Sequence, residues 1–389
     1  MTRTTGQRVR SVTIPYVTLR SIGQGVEFIG WLVLARRLDP AGLGELTVAF
    51  LLCRYAGLVA DWGAIGRGAR DVSAEGRHGS IRAYLRLRTS IAVALSGLGL
   101  VLFAVTGHIA LAPLVVVVPA IGMSRDWIGL GRERGVRAGV SQATQGLVFV
   151  GVSVLASTPA EGAIVVAVAY GLGLVVSIAV NRAPEDAEQT VAGRPDHWLL
   201  VALLASQLTS TLDVVLLGGL VSTSDAGIYA AVYRFPNAFI ALLGGMIGVL
   251  LPFATRTHQE DKDEHQRFVG QSMRVSALAA VVVLASIPVF YYVAPALLGP
   301  AYDAGRTPLV LLIVATAVIT LTAPLHPILV SRGRDRRYAA IACSGTVINL
   351  GLNLLLIPPF QMVGAAVATL AAQVVVSVVL VYFVLIRPT

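Results

Sequence analysis

Long apolar stretches separated by short polar punctuation run the length of this chain. A helix needs about 20 mainly apolar residues to cross roughly 30 Å of hydrocarbon. By that measure the apolar stretches fall near 13–36, 42–64, 88–108, 110–128, 136–157 and 162–181, and then near 198–221, 226–254, 271–298, 307–330, 337–357 and 362–386. The fourth is the shortest and passes directly into Arg125 and Asp126. A polar stretch at 182–197 divides six from six. The pattern predicts an all-α integral membrane protein of about twelve transmembrane helices. They form one six-helix bundle over 1–183, a cytoplasmic linker at 184–197 and a second six-helix bundle over 198–389.

Composition supports the same class. Of 389 residues, 56% are hydrophobic and only 13% are charged, where a soluble domain carries about 25%. Too few polar side chains remain to cover a globule in water. The net charge of +9 does not indicate a nucleic-acid partner, because the basic residues punctuate the apolar stretches instead of gathering on one face. With the N-terminus placed inside, 24 of the 30 basic residues fall in alternate, inside segments. These are the N-terminus, Arg67–Arg88, Arg125–Arg137, Arg182–Arg194, Arg256–Arg274, Arg332–Arg337 and Arg387. Only Arg36, Arg37 and Arg306 fall outside. The expectation is a multi-pass protein with both termini cytoplasmic. Arg3, Arg8 and Arg10 lead into the first apolar stretch without a small-residue cleavage pattern, so that stretch is expected to stay as an anchor. Cys53 and Cys343 build neither a disulfide framework nor a metal motif, the six histidines have no metal-ligand spacing, and no phosphate-binding loop appears.

The predicted outside loops are very short, around Gly107–Leu111, Thr158–Glu161, Ser222–Asp225 and Pro358–Gln361. This weighs against a membrane glycosyltransferase or glycan polymerase, whose chemistry is generally housed in sizeable external loops. The inside segment Arg67–Arg88 reads either as an amphipathic helix lying on the membrane or as a solvated basic loop. The two halves also repeat an order of features. "LDPAGLGELTVAF" after the first stretch has a counterpart in "STSDAGIYAAVYRF" after the seventh. The fifth and sixth stretches have one in "RRYAAIACSGTVINLGLNLLLIPPFQMVGAAVATLAAQ". Six spans is an even number, so the repeats are parallel, related by an axis along the membrane normal.

Three segments carry a family likeness: "ARRLDPAGLGELTVAF", "LDVVLLGGLVSTSDAGIYAAVYRF" and "NLGLNLLLIPPFQMVGAAVATLAAQ", with shorter echoes at "DWIGLGRER" and "LLGPAYDAG". In this order they resemble the polysaccharide-transport flippases of the multidrug/oligosaccharidyl-lipid/polysaccharide (MOP) exporter superfamily. One departure is Pro359-Phe360-Gln361, where that family more often has a Gly-containing turn. The resemblance implies a MATE-like fold of two six-helix bundles. It also implies alternating-access translocation of an undecaprenyl-pyrophosphate-linked oligosaccharide across a bacterial cytoplasmic membrane. The cargo would serve surface polysaccharide synthesis, alongside the glycan polymerase and glycosyltransferases of the same pathway. Others of the superfamily export drugs against protons or sodium.

Ionisable side chains at membrane depth cost several kcal/mol unless they face a polar cavity or a partner. Six stand out: Arg20 and Glu27 in the first stretch, Arg54 and Asp61 in the second, Asp213 in the seventh and Arg234 in the eighth. Arg20 and Glu27 are seven apart, as are Arg54 and Asp61, so each pair shares a helix face about 10 Å apart along the axis. Arg20, Arg54 and Arg234 are candidates for attracting a pyrophosphate, whose geometry suits a guanidinium fork. Glu27, Asp61 and Asp213 are candidates for charge balance or for binding a coupling ion, with Asp213 the candidate counter-ion of Arg234. Asn349 and Asn353, four apart on one face, are candidates for sugar hydroxyls or for helix–helix hydrogen bonds. The alternative for the charged residues is helix pinning or snorkelling to an interface. No organic cofactor is expected; coupling to a proton, to sodium or to the membrane potential remains open.

Overall fold

The computed structural model describes residues 5–61, 80–182, 197–240, 262–332 and 334–386. Among them every regular element is helical. In chain order these are α1 (Thr5–Arg37), α2 (Pro40–Asp61) and α3 (Ser80–Val105). A 3₁₀ segment, Ile109–Val116, then leads into α4 (Val117–Gly122), followed by α5 (Asp126–Gly131), α6 (Gly135–Ser153), α7 (Pro159–Val180) and α8 (His197–Leu220). After α9 (residues 223–240) come α10 (Lys262–Ala285), α11 (Ile287–Leu298), a 3₁₀ turn at Pro300–Gly305, α12 (Arg306–Thr322), α13 (Leu325–Ser331) and α14 (Asp335–Val381).

Each predicted apolar stretch is matched by helix in its described part, twelve in all. Seven described segments are individually long and apolar enough to cross a bilayer. The fourth stretch is the irregular one: Pro113 lies in the 3₁₀ segment and the α-helix that follows is only six residues long. At the other end of the chain, α14 runs through Pro358 and Pro359 and breaks at Gln361 (φ 51°, ψ −129°), which separates the last two spans. The linker residues 184–196, the end of the second stretch at 62–64 and residues 67–79 of the predicted inside segment lie outside the described residues; Ser80–Arg88 forms the first turns of α3.

The chain divides into two compact units, Met1–Leu38 with Leu46–Leu200, and Asp39–Glu45 with Val201–Thr389. In the first, α1 lies against α6 along a line of glycines. A Cβ on Gly135 would fall 1.9 Å from Val12 O, one on Gly146 2.3 Å from Gly23 O, and one on Gly23 2.5 Å from Gln142 O. Gly30 lies against the Phe149 ring. Lipid supplies no hydrophobic drive for helix association, and small residues substitute backbone contact for it. The large apolar side chains are turned outward instead, as on α3 with Val93, Leu98, Val101 and Val105. In the second unit α12 is central, packed between α10 and α14. An apolar 18-residue stretch within Pro300–Leu329 is 67% buried, against 11% for the one within Tyr84–Val105.

Candidate functional site

The first unit brings its intramembrane charges together, but not in the pairs that the seven-residue spacing suggests. Glu27 of α1 accepts a hydrogen bond from the Tyr170 hydroxyl of α7 at 3.2 Å. The same hydroxyl lies in the field of Arg54 from α2 and bonds the Gln145 side chain of α6. Glu27 is therefore tied to α7 through one buried tyrosine, and Arg54 acts on that same tyrosine from α2. On one side of them Trp31, Phe50, Phe149 and Tyr170 pack ring against ring, with centroids 5.2–5.6 Å apart. Buried aromatic rings of this kind lower the local dielectric around a polar group beside them.

Asp61 balances Arg88 and not Arg54. The Arg88 Nη2 donates to Asp61 Oδ1 at 2.5 Å, with the Arg88 side chain fully buried. The guanidinium also donates to Ser124 O at 3.0 Å and Ile121 O at 3.4 Å, at the C-terminal end of α4, and lies between the Tyr84 and Trp127 rings. A cation there complements the negative end of the helix dipole. Arg88, at the end of the segment read either as an amphipathic helix or as a solvated basic loop, is a buried helix fastener. Asp61 correspondingly is buried within the protein, at the end of α2.

Arg20 is half-buried, and its Nη1 donates to the Tyr16 hydroxyl one turn earlier at 3.0 Å. It also acts on Asp126, at the start of α5. Asp126 accepts from Ser141 Oγ of α6 (2.6 Å), Ser177 Oγ of α7 (2.7 Å) and Asn181 Nδ2 (3.3 Å). Tyr170 and Asp126 were absent from the sequence-based candidates. The only signal for Asp126 was its place in "DWIGLGRER"; nothing in sequence singles out Tyr170.

In the second unit Asp213 is wholly buried. It accepts from Tyr229 Oη (2.5 Å), Thr369 Oγ1 (3.3 Å) and the Val214 amide (3.0 Å). Asn349 Nδ2 donates to Thr369 Oγ1 at 3.4 Å, and Asn353 Nδ2 to Asn349 Oδ1 at 3.0 Å. Asn349 and Asn353 are thus buried members of the Asp213 cluster, with no exposed face toward a sugar in this structure. The Asn353 Oδ1 has no hydrogen-bond donor among the described residues. Arg234, half-buried, acts on Tyr302 together with Asp39, while Asp213 takes its hydrogen bonds from hydroxyls and an amide.

Residues 196–304 match a family of polysaccharide biosynthesis proteins. Comparison with curated proteins gives no significant match. Among solved structures, an inward-facing multidrug-resistance transporter of the MATE family superposes with a TM-score of 0.71 at 15% identity, covering 98% of each chain. The fold is that of the MOP-superfamily transporters. A MOP-superfamily transporter from Pyrococcus furiosus, described as having a binding pocket of reversed polarity, gives 0.68 at 15% identity over 100% of this chain and 98% of its own. A MATE protein in complex with MaL6 gives 0.67 at 14% identity over 96% and 94%. The MOP fold over the whole chain and the family match at its centre bear out the resemblance read from the sequence.

Proposed function

We propose that the protein is a flippase that moves undecaprenyl-pyrophosphate-linked oligosaccharide repeat units across the bacterial cytoplasmic membrane, for O-antigen, capsule or exopolysaccharide synthesis. It acts as a transporter and not as an enzyme. The observation that carries the reading is the cationic equipment of the first unit. Arg20 and Arg54 are half-buried on apolar helices, in a unit whose carboxylates Glu27 and Asp126 are held by neutral donors. Such a carboxylate stays solvated by protein when its arginine turns to a ligand, which suits a site that binds an anionic head group and then releases it. Arg234 is the corresponding cation of the second unit. The family match supports a polysaccharide-related cargo.

Alternating access needs no nucleotide here. Two negative charges moving outward at roughly 100 mV, inside negative, gain about 4–5 kcal/mol. A coupling ion, proton or sodium, has its place at Asp213, whose surroundings offer the hydroxyl and amide oxygens of Thr369, Asn349 and Asn353. That cluster also supports the second reading, a cation-coupled small-molecule exporter of the same fold. Both termini face the cytoplasm in this proposal, and the glycosyltransferases and polymerase of the pathway act before and after it.

The test is flipping of lipid-linked oligosaccharide in proteoliposomes, scored by exposure of the sugars to an external lectin. Protein-dependent exposure, faster under an imposed potential and lost in Arg20→Glu and Arg234→Glu, is expected. Full activity in both variants removes the cationic site. Absence of exposure with folded protein and a matched lipid shifts the assignment to the small-molecule exporter.

A further inference from the structure

Asp126 accepts side-chain hydrogen bonds from three residues outside its own helix. Its donors come from two helices and a helix terminus: Ser141 on α6, Ser177 on α7, and Asn181, whose Nδ2 also bonds Arg137 O at 3.1 Å. Ser177 Oγ in turn accepts the Arg125 amide at 2.9 Å and pairs with Ser124 Oγ at 3.2 Å. The glycine line between α1 and α6 sets which residue of α1 comes alongside. Gly139 of α6 lies on Leu19 and Tyr16, and Gly23 lies on Gln142. Arg20, between those contacts, is thereby carried to the level of Ser141, whose Oγ bonds Asp126. Its own hydrogen bond goes to the neutral Tyr16 hydroxyl.

We infer that Asp126 is a positioning residue for Arg20: a resting counter-charge, kept satisfied by neutral donors, from which the guanidinium is released to an anionic pyrophosphate. This rests on the cargo reading above. A carboxylate that accepts three hydrogen bonds loses little when a cation departs, because its lone pairs remain occupied. It therefore competes with the cargo for Arg20 without trapping it.

Removing the charge while keeping the shape should tighten cargo binding. Binding of a short-chain polyprenyl pyrophosphate to the full-length protein in nanodiscs is expected to strengthen about tenfold in Asp126→Asn, equivalent to about 1.4 kcal/mol. Flipping turnover should fall as release slows. Ser141→Ala strips a neutral donor and should weaken binding several-fold, the opposite direction, which covers the case of a poorly folding Asp126→Asn. Neither change should alter binding when made in Arg20→Gln. Weaker binding in Asp126→Asn, or the same change with and without Arg20, reduces Asp126 to a structural hub and overturns the inference. If the wild type binds no polyprenyl pyrophosphate, the cargo reading fails separately, and the pair is judged by thermal unfolding. Non-additive melting shifts for Arg20→Gln and Asp126→Asn sustain the coupling; additive shifts overturn it.

Discussion

The Arg88–Asp61 pair makes the sharpest stability prediction. Arg88 is wholly buried, with one carboxylate 2.5 Å away and two main-chain carbonyls at 3.0 and 3.4 Å. Asp61→Asn keeps the shape but strands a buried cation, a loss of about 3–5 kcal/mol. Arg88→Met takes the buried cation from the carboxylate, whose side chain is only 12% exposed, and uncaps both carbonyls; the loss is again about 3–5 kcal/mol. In the double variant no unpaired charge remains. The buried charge pair is then gone and the two carbonyl bonds are missing, at about 1 kcal/mol each, so the double should be about as stable as, or more stable than, either single. The assay is a double-mutant cycle of denaturant or thermal unfolding in detergent, with a coupling of at least about 2 kcal/mol expected. In addition, Arg88→Met should leave membrane orientation unchanged by cysteine accessibility, because the residue is a fastener and not a topogenic charge. Single variants that cost under about 1 kcal/mol and add simply would refute the reasoning.

Three further outcomes follow from the packing and the turn. Gly23→Ala puts a Cβ 2.5 Å from Gln142 O and should destabilise by about 1–3 kcal/mol. Gly25→Ala, with nothing within 4 Å, should be neutral or slightly stabilising; equal melting temperatures for the two would contradict the α1–α6 register. Gln361→Gly relieves a positive-φ conformation that costs a side chain about 1–3 kcal/mol. It should raise the melting temperature, and a decrease would show that the Gln361 side chain matters more than its backbone. Asp213→Asn should abolish any sodium or pH-gradient dependence of flipping in proteoliposomes while leaving the protein folded. A preserved dependence would move the coupling site elsewhere.

Span positions and the irregular fourth span were legible in the sequence because length and hydropathy suffice to place a segment in a bilayer. The Pro359-Phe360-Gln361 departure from the family pattern was legible too, and the structure gives it a meaning: Gln361 occupies a conformation that suits glycine. Pairing was not legible. The seven-residue spacing of Arg20 with Glu27, and of Arg54 with Asp61, describes one helix face. Partners across helices depend on rotation and register, which here follow from glycine contacts such as Gly23 on Gln142. For the same reason Arg88 read as a loop charge, since its burial depends on where the end of α4 lies. Asn349 and Asn353 shared a face as expected, yet that the face meets Asp213 and Thr369 is a tertiary fact.

The glycine seam has a consequence for how the protein is made. Gly23 and the Gly146 that rests on it are more than one hundred residues apart in the chain. At about 5–20 residues per second, α1 emerges from the ribosome on the order of ten seconds before α6 exists. For most of that interval Arg20 and Glu27 are in or beside the bilayer before Asp126, Ser141, Gln145 and Tyr170 have been synthesised. The first helix is therefore a poor independent span, and it depends on the insertion machinery to shelter it until its receiving face arrives.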